Sequence, residues 1–92
     1  MYTVFFSPAS ERDVKKLPAA VQLELRDEHI PILAANPRAG KMLHGPLRGY
    51  FSYDFRSAGV SYRVAYELMS GGLVVLMIDT RGNFYKKFSR RV

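Results

Sequence analysis

GYFSYDF (residues 49–55), SYRVAYEL (61–68) and LVVLMID (73–79) are the stretches on which the fold turns. The first alternates strictly: Tyr50, Ser52 and Asp54 share one face of an extended chain, while Phe51, Tyr53 and Phe55 share the other. A period of two with one aromatic face predicts a strand half buried against a core. The second stretch reads as another strand, joined to the first through residues 56–60 (RSAGV). Ser70-Gly71-Gly72 supplies a turn, and the uninterrupted apolar run that follows suits a central sheet position. Arg81-Gly82-Asn83 ends it.

Toward the N-terminus, YTVFF (2–6) is β-branched and aromatic and stops at Ser7-Pro8, the pattern of a short strand running into a helix. Ser7 can accept from the free amides of the first helical turn, and Pro8 gives up an amide that has no partner there. That helix is expected to reach about Leu17, where Pro18 ends it and opens a second. Val21, Leu25, Ile32 and Leu33 are spaced for one buried face, with Glu24, Asp27 and Glu28 toward water. Pro31 removes a backbone hydrogen bond and crowds the preceding turn, a cost of about 3 kcal/mol in a straight helix, so a kink or break is expected at 28–30. Residues 36–40 (NPRAG) read as a loop, and the tail 84–92 (FYKKFSRRV) as a short helix or a frayed end. The order β-α-α-β-β-β predicts one α+β domain over residues 1–92. Its sheet is small and mostly antiparallel, with two N-terminal helices packed on one face.

Composition narrows the function. Ninety-two residues, 48% of them hydrophobic and 24% charged, suffice for one small core but not two. Cysteine is absent and histidine occurs only at His29 and His44, which excludes disulfides, thiolate metal sites and a Cys nucleophile and leaves no ordinary zinc set. Neither a metal nor a cofactor is expected. No apolar run approaches the roughly 18 residues needed to cross a membrane, so a cytoplasmic protein without a membrane partner is the expectation. The net charge of +6 is unevenly placed: residues 1–35 carry four basic and five acidic groups, net −1, and residues 36–92 carry ten and three, net +7. A basic half of this kind favours a polyanion partner.

Gly-rich phosphate loops, GxSxG elbows, closely spaced carboxylate pairs and recognisable Ser, His and Asp sets are all missing. What remains is Arg48, Arg56, Arg63, Arg81, Tyr85 and Lys86, on the strands and at their ends. Antiparallel pairing puts the start of one strand beside the end of the next, which can bring Arg63 near Arg81, with Tyr85 four residues on. Two guanidiniums and a phenol on one sheet face can hold a phosphate and stack a base. Each also has a plainer reading: a paired or solvated arginine, aromatic packing for residues 50–55, a solvated loop residue for His44, a solubilising tail for Lys86, Lys87, Arg90 and Arg91.

The whole chain resembles the RelE/ParE superfamily of bacterial and archaeal type II toxins. The likeness is carried by FSPASERDVKKLPAAVQ (6–22), ANPRAGKMLHGPLRGYFSYDF (35–55), SYRVAYEL (61–68) and VVLMIDTRGNFYKK (74–87). It implies a RelE-like fold with a basic concave side opposite the helices, and a cognate acidic antitoxin that holds the toxin inactive. RelE-like members cut mRNA in the ribosomal A site, whereas ParE-like members poison DNA gyrase. Position by position, Arg63 falls on the arginine that holds the scissile phosphate, Arg81 on one that stabilises or protonates the leaving group, and Tyr85 on a tyrosine that stacks on the substrate base. Lys41, Arg48, Arg56, Lys86 and Lys87 are the residues expected to support RNA binding around them.

One strand departs from that pattern. Ser52 and Asp54 stand where the best-known RelE proteins carry lysines, one of them the proposed general base. Attack by a 2′-OH on its own phosphate needs a proton acceptor, charge stabilisation and a proton donor. Asp54 is one candidate acceptor, although a carboxylate with an ordinary pKa of about 3.9 is a weak base. Lys41 and His44 are the others, and histidine's ordinary value of about 6.5 suits the task better. The expectation is a ribosome-dependent mRNA endoribonuclease; a gyrase poison or a catalytically degraded toxin are the alternatives.

Overall fold

In a computed structural model that describes residues Met1–Val92, the three decisive stretches become β3 (Tyr50–Ser57), β4 (Val60–Met69) and β5 (Gly72–Thr80). Before them come β1 (Thr3–Phe6), α1 (Pro8–Lys15), α2 (Ala19–Glu24), a π-turn at Leu25–His29, α3 (Ile30–Ala35), β2 (Lys41–Met42) and a 3-10 turn at Gly45–Leu47. The chain ends in α4 (Phe84–Arg91). The sheet order is β1-β5-β4-β3-β2, with β1 parallel to β5 and every other pairing antiparallel. The α+β class and the central place of β5 are as expected. No helix is long and apolar enough to cross a membrane.

Ser7 caps α1 by accepting from the Ser10 amide at 3.1 Å, with Pro8 in the first turn. The irregularity expected from Pro31 at 28–30 takes the form of a widened turn that begins earlier and overlaps those residues. The turn at Leu25–His29 widens, the Ile30 amide donates to the Leu25 carbonyl five residues back, and the helix continues through the proline. The extra residue rotates everything after it. Leu33 and Ala34 are therefore buried, whereas Ile32, expected in the core, is exposed. Glu24, expected to face water, is bonded. Its carboxylate lies 2.8 Å from His29 Nε2 and accepts from the Ser57 hydroxyl at 2.9 Å, while His29 Nδ1 meets the Tyr53 hydroxyl at 2.8 Å.

Two further details differ from the sequence reading. Lys41–Met42 adds an edge strand on β3, pairing Lys41 with Ser52 and Met42 with Phe51. The β3–β4 connection is only Ala58-Gly59, both at positive φ (50° and 79°), so Arg56, Ser57 and Val60 belong to the strands. Of the two forms expected for the tail it takes the helical one, α4, which lies on the sheet face opposite α1–α3.

The larger core packs Phe51, Phe55, Tyr62, Val64, Tyr66, Leu73, Val75 and Ile78 of the sheet against Val21, Leu25 and Leu33. On the other face Phe84 and Phe88 of α4 cover Leu43, Ala65 and Met77. A bulge sets this division. Tyr66 pairs with Val75 but Ala65 with Met77, so Leu76 is an extra residue in β5, and Met77 and Asp79 come to the α4 side. Past Val75, whose carbonyl accepts from the Ser7 amide, β1 no longer covers β5. There the Asp13 carboxylate of α1 accepts from the Ile78 amide at 3.0 Å and from Arg91 of α4 at 2.6 and 3.2 Å. Arg91 also donates to the Leu76 carbonyl at 3.0 Å. The backbone groups exposed by the bulge are thereby satisfied.

Candidate functional site

The site grows from a row of three charges on the α4 side of the sheet. Asp54 of β3 is the register partner of Arg63 in β4, and Arg63 is the partner of Asp79 in β5. Directly opposed residues on one sheet face stand close enough for their side chains to interact. Arg63 uses its partners unequally: Nε donates to Asp54 Oδ1 at 2.7 Å and Nη2 to Oδ2 at 3.0 Å, a bidentate fork. Asp79 instead accepts from the Thr80 amide at 2.7 Å and from Lys87 Nζ at 3.1 Å.

α4 supplies the other wall. Asn83, in the left-handed region at φ 56°, turns the chain so that Phe84 is buried and Tyr85 half-exposed beside the row. The Arg63 guanidinium stands 4.5 Å from the centre of the Tyr85 ring and 5.8 Å from that of Phe84, a cation–π arrangement. The Tyr85 hydroxyl lies 3.3 Å from Ser52 Oγ. Around these groups is a cleft of about 220 Å³ lined by Gly40, Lys41, Ser52, Asp54, Arg63 and Tyr85. Gly40 is required there, since a Cβ would collide with the Ser52 carbonyl oxygen and sit 2.6 Å from the Tyr66 hydroxyl. A wider opening of about 570 Å³ shares Lys41 and Tyr85 with it and adds His44, Lys86 and Ser89.

The electrostatics follow from the fork. Hydrogen bonds from Arg63 hold the Asp54 carboxyl below the usual carboxylate range against the opposing effect of burial, with further attraction from Arg81 and Lys41. The same bonds raise Arg63. A proton therefore leaves Asp54 more readily, and its carboxylate is a poorer proton acceptor than a free one.

Of the residues singled out in the sequence, Arg63, Tyr85, Asp54 and Lys41 share the cleft. Arg81 follows β5, its amide donating to the Ser61 carbonyl at 3.1 Å, and the residue is exposed. His44 and Lys86 border the adjacent opening rather than the Arg63 cleft. Lys87 is tied to Asp79. Arg48, in the turn before β3, and Arg56, whose guanidinium donates to the Gly59 carbonyl at 3.2 Å, line neither opening. The sequence reading missed Asp79 and the contact between Ser52 and Tyr85; only the register would have pointed to the first, and nothing local to the second.

The family model for the ParE-like toxin of type II bacterial toxin-antitoxin systems matches residues 4–89. Toxin RelG of Mycobacterium tuberculosis is 31% identical over 87 residues, covering 94% of this chain and 98% of that protein. Among solved structures, the RelBE2 toxin–antitoxin complex of Mycobacterium tuberculosis contains a chain 32% identical to this one. That match has a TM-score of 0.72 and covers 87% of this chain and 91% of the other. The isolated E. coli RelE toxin shares the fold, with a TM-score of 0.68 over 99% of this chain and 98% of the other, at 23% identity. The chain belongs to the ParE-like toxin family of type II toxin–antitoxin systems, within the RelE/ParE superfamily.

Proposed function

We propose that this toxin is a ribosome-dependent endoribonuclease that cuts mRNA in the A site by attack of a 2′-OH on the adjacent phosphate. The observation that carries this reading is the Arg63 guanidinium stacked on Tyr85 within one cleft beside Lys41. Arg63 holds the scissile phosphate and gains strength as charge develops on its oxygens. Tyr85 offers a half-exposed ring to a base, and Arg81 stands by the leaving oxygen. Asp54, bound to Arg63 and lowered in pKa, is the least suited of the three candidate bases. Lys41 lines the cleft and His44 its neighbour, and they are the acceptors to test first. The chain acts as a single domain in the cytoplasm, held inactive by an acidic antitoxin.

The deciding experiment is cleavage of mRNA on programmed ribosomes, read by primer extension, with circular dichroism to confirm folding of each variant. Arg63→Ala should lower cleavage about 100-fold, and Arg81→Ala at least as much. Tyr85→Ala should cost about 1 to 3 kcal/mol of base stacking. Folded Arg81→Ala and Tyr85→Ala variants that cut at the parent rate would overturn the assignment. The second reading, a ParE-like gyrase poison, is favoured by Ser52 and Asp54 standing where RelE toxins carry lysines, with the Asp54 carboxylate bound to Arg63. Loss of gyrase supercoiling with intact message would establish it.

A further inference from the structure

We propose that Asp54 is a built-in competitor for phosphate: its carboxylate occupies the guanidinium fork that an RNA phosphate must take, and so restricts the cleft to polynucleotides able to displace it. The inference rests on the reading of Arg63 as the phosphate contact. A carboxylate and a phosphate each present two oxygens to the same pair of guanidinium donors, so both cannot hold one edge of Arg63 at once. The Arg63 side chain is only 12% exposed, whereas that of Asp54 is 46% exposed. The guanidinium carbon lies over the Tyr85 ring, 4.5 Å from its centre. The open approach to the Nε and Nη2 edge therefore runs through the carboxylate.

Two further observations separate Asp54 from a carboxylate that merely happens to be near. Asp79 opposes Arg63 equally closely in the register on its other side, yet its oxygens are engaged by the Thr80 amide and Lys87. Only Asp54 fills the fork. Exchange also need not strand a charge, because the Asp54 side chain is 46% exposed and water can take up its carboxylate when Arg63 turns to a phosphate. A small anion offers Arg63 no more than Asp54 does. A strand of RNA adds contacts to Lys41 and to Lys86 in the adjoining opening, and those shift the exchange in its favour.

The test is fluorescence anisotropy of the full chain with an end-labelled, fully 2′-O-methylated single-stranded oligoribonucleotide, which binds but cannot be cut, beside inorganic phosphate as a competing small anion. Asp54→Asn, which keeps the shape, should tighten oligonucleotide binding about tenfold or more, the scale of a pair of charge-assisted hydrogen bonds. Asp79→Asn removes the same charge without vacating the fork and should change it by no more than about twofold. Inorganic phosphate should compete detectably only against Asp54→Asn. The gain should vanish in Asp54→Asn/Arg63→Ala, and likewise in Asp54→Asn/Arg63→Lys, which keeps the charge but not the fork if alanine disturbs folding. Equal gains from Asp54→Asn and Asp79→Asn, or a gain that survives loss of Arg63, overturn the proposal. If Arg63→Ala alone weakens binding but Asp54→Asn does nothing, the competitor role fails and the phosphate contact stands. If folded Arg63→Ala and Arg63→Lys both bind as the parent does, the phosphate contact itself fails and the proposal with it.

Discussion

The two faces of the sheet are built from alternate residues of the same strands, and they are put to opposite uses. Toward α1–α3, Phe51 stacks on Tyr66 at 5.5 Å and Phe55 on Tyr62 at 5.4 Å, in a core continuous with Val21, Leu25 and Leu33. Toward α4 the apolar cluster is less than half as large, and the strands beside it present Asp54, Arg63 and Asp79 instead. Burial is non-directional and tolerates neighbours of many shapes, whereas a charge row functions only at one register. The chain concentrates its stability on one face, which leaves the other free to hold a guanidinium largely out of water.

Truncation of one large aromatic on each face tests that division most severely. Tyr66→Ala should cost about 3 to 5 kcal/mol, because it empties a fully buried site and strips partners from the Gly40 amide and the Pro37 carbonyl. For a chain of this size that lowers the Tm by more than about 12 °C. Phe88→Ala removes an equally buried ring, but from a terminal helix that can detach alone, so its global cost should be smaller. Hydrogen exchange should speed up in residues 84–91 while β4 and β5 stay protected. Equal losses of stability for the two variants would join α4 to the main cooperative unit and break the comparison.

The faces are fastened together at one point, the Asp13–Arg91 pair over the β5 bulge. Asp13→Ala leaves the Ile78 amide without an acceptor and Arg91 without its carboxylate, a cost of about 1 to 3 kcal/mol. Arg91→Ala should cost less, since the bond between Asp13 and Ile78 survives it. Urea midpoints rank the two, and exchange at Ile78 distinguishes them: fast in Asp13→Ala, near the parent rate in Arg91→Ala. The opposite ranking would make the arginine, and with it α4, the true closure of the β5 edge.

Much of this division was legible in the sequence. Strict alternation in GYFSYDF separated Tyr50, Ser52 and Asp54 from the aromatic face, and Ser7-Pro8 located the start of α1. The Asp54–Arg63 pair was within reach too, but only with the turn placed at Ala58-Gly59. Counting back from Ser57 opposite Val60 brings Asp54 opposite Arg63, whereas a five-residue connection at 56–60 hides it. The bulge at Leu76 was not legible, because in LVVLMID every residue near it is apolar and either phase buries something suitable. Pro31 signalled trouble in its helix but not the form of the relief, and the added residue in the π-turn moved Ile32 out of the core. For the site, periodicity supplied a face, and the family likeness was needed to choose Arg63, Arg81 and Tyr85 from ten basic residues and several aromatics.

The smallest expected effect compares the one carboxylate on each face whose side-chain hydrogen bonds cross between elements or strands and whose pKa is lowered. Glu24 is held below its ordinary value of 4.5 by its hydrogen bonds with His29 and Ser57, and Asp54 below 3.8 by Arg63. A carboxyl lowered in the folded state binds fewer protons there than in the unfolded chain. Its stabilisation is fully present above the ordinary value and is lost as pH falls through the folded one. Both should therefore contribute to a decline in the urea midpoint as the pH falls below about 5, with none of it appearing near neutrality. The Glu24 side chain is 26% exposed against 46% for Asp54, and it ties a helix to the sheet rather than one strand to the next. Glu24→Gln should accordingly flatten this acid limb more than Asp54→Asn does. A steeper loss of the limb from Asp54→Asn would mean that the charge row, and not the helix-side network, carries the acid sensitivity of the fold.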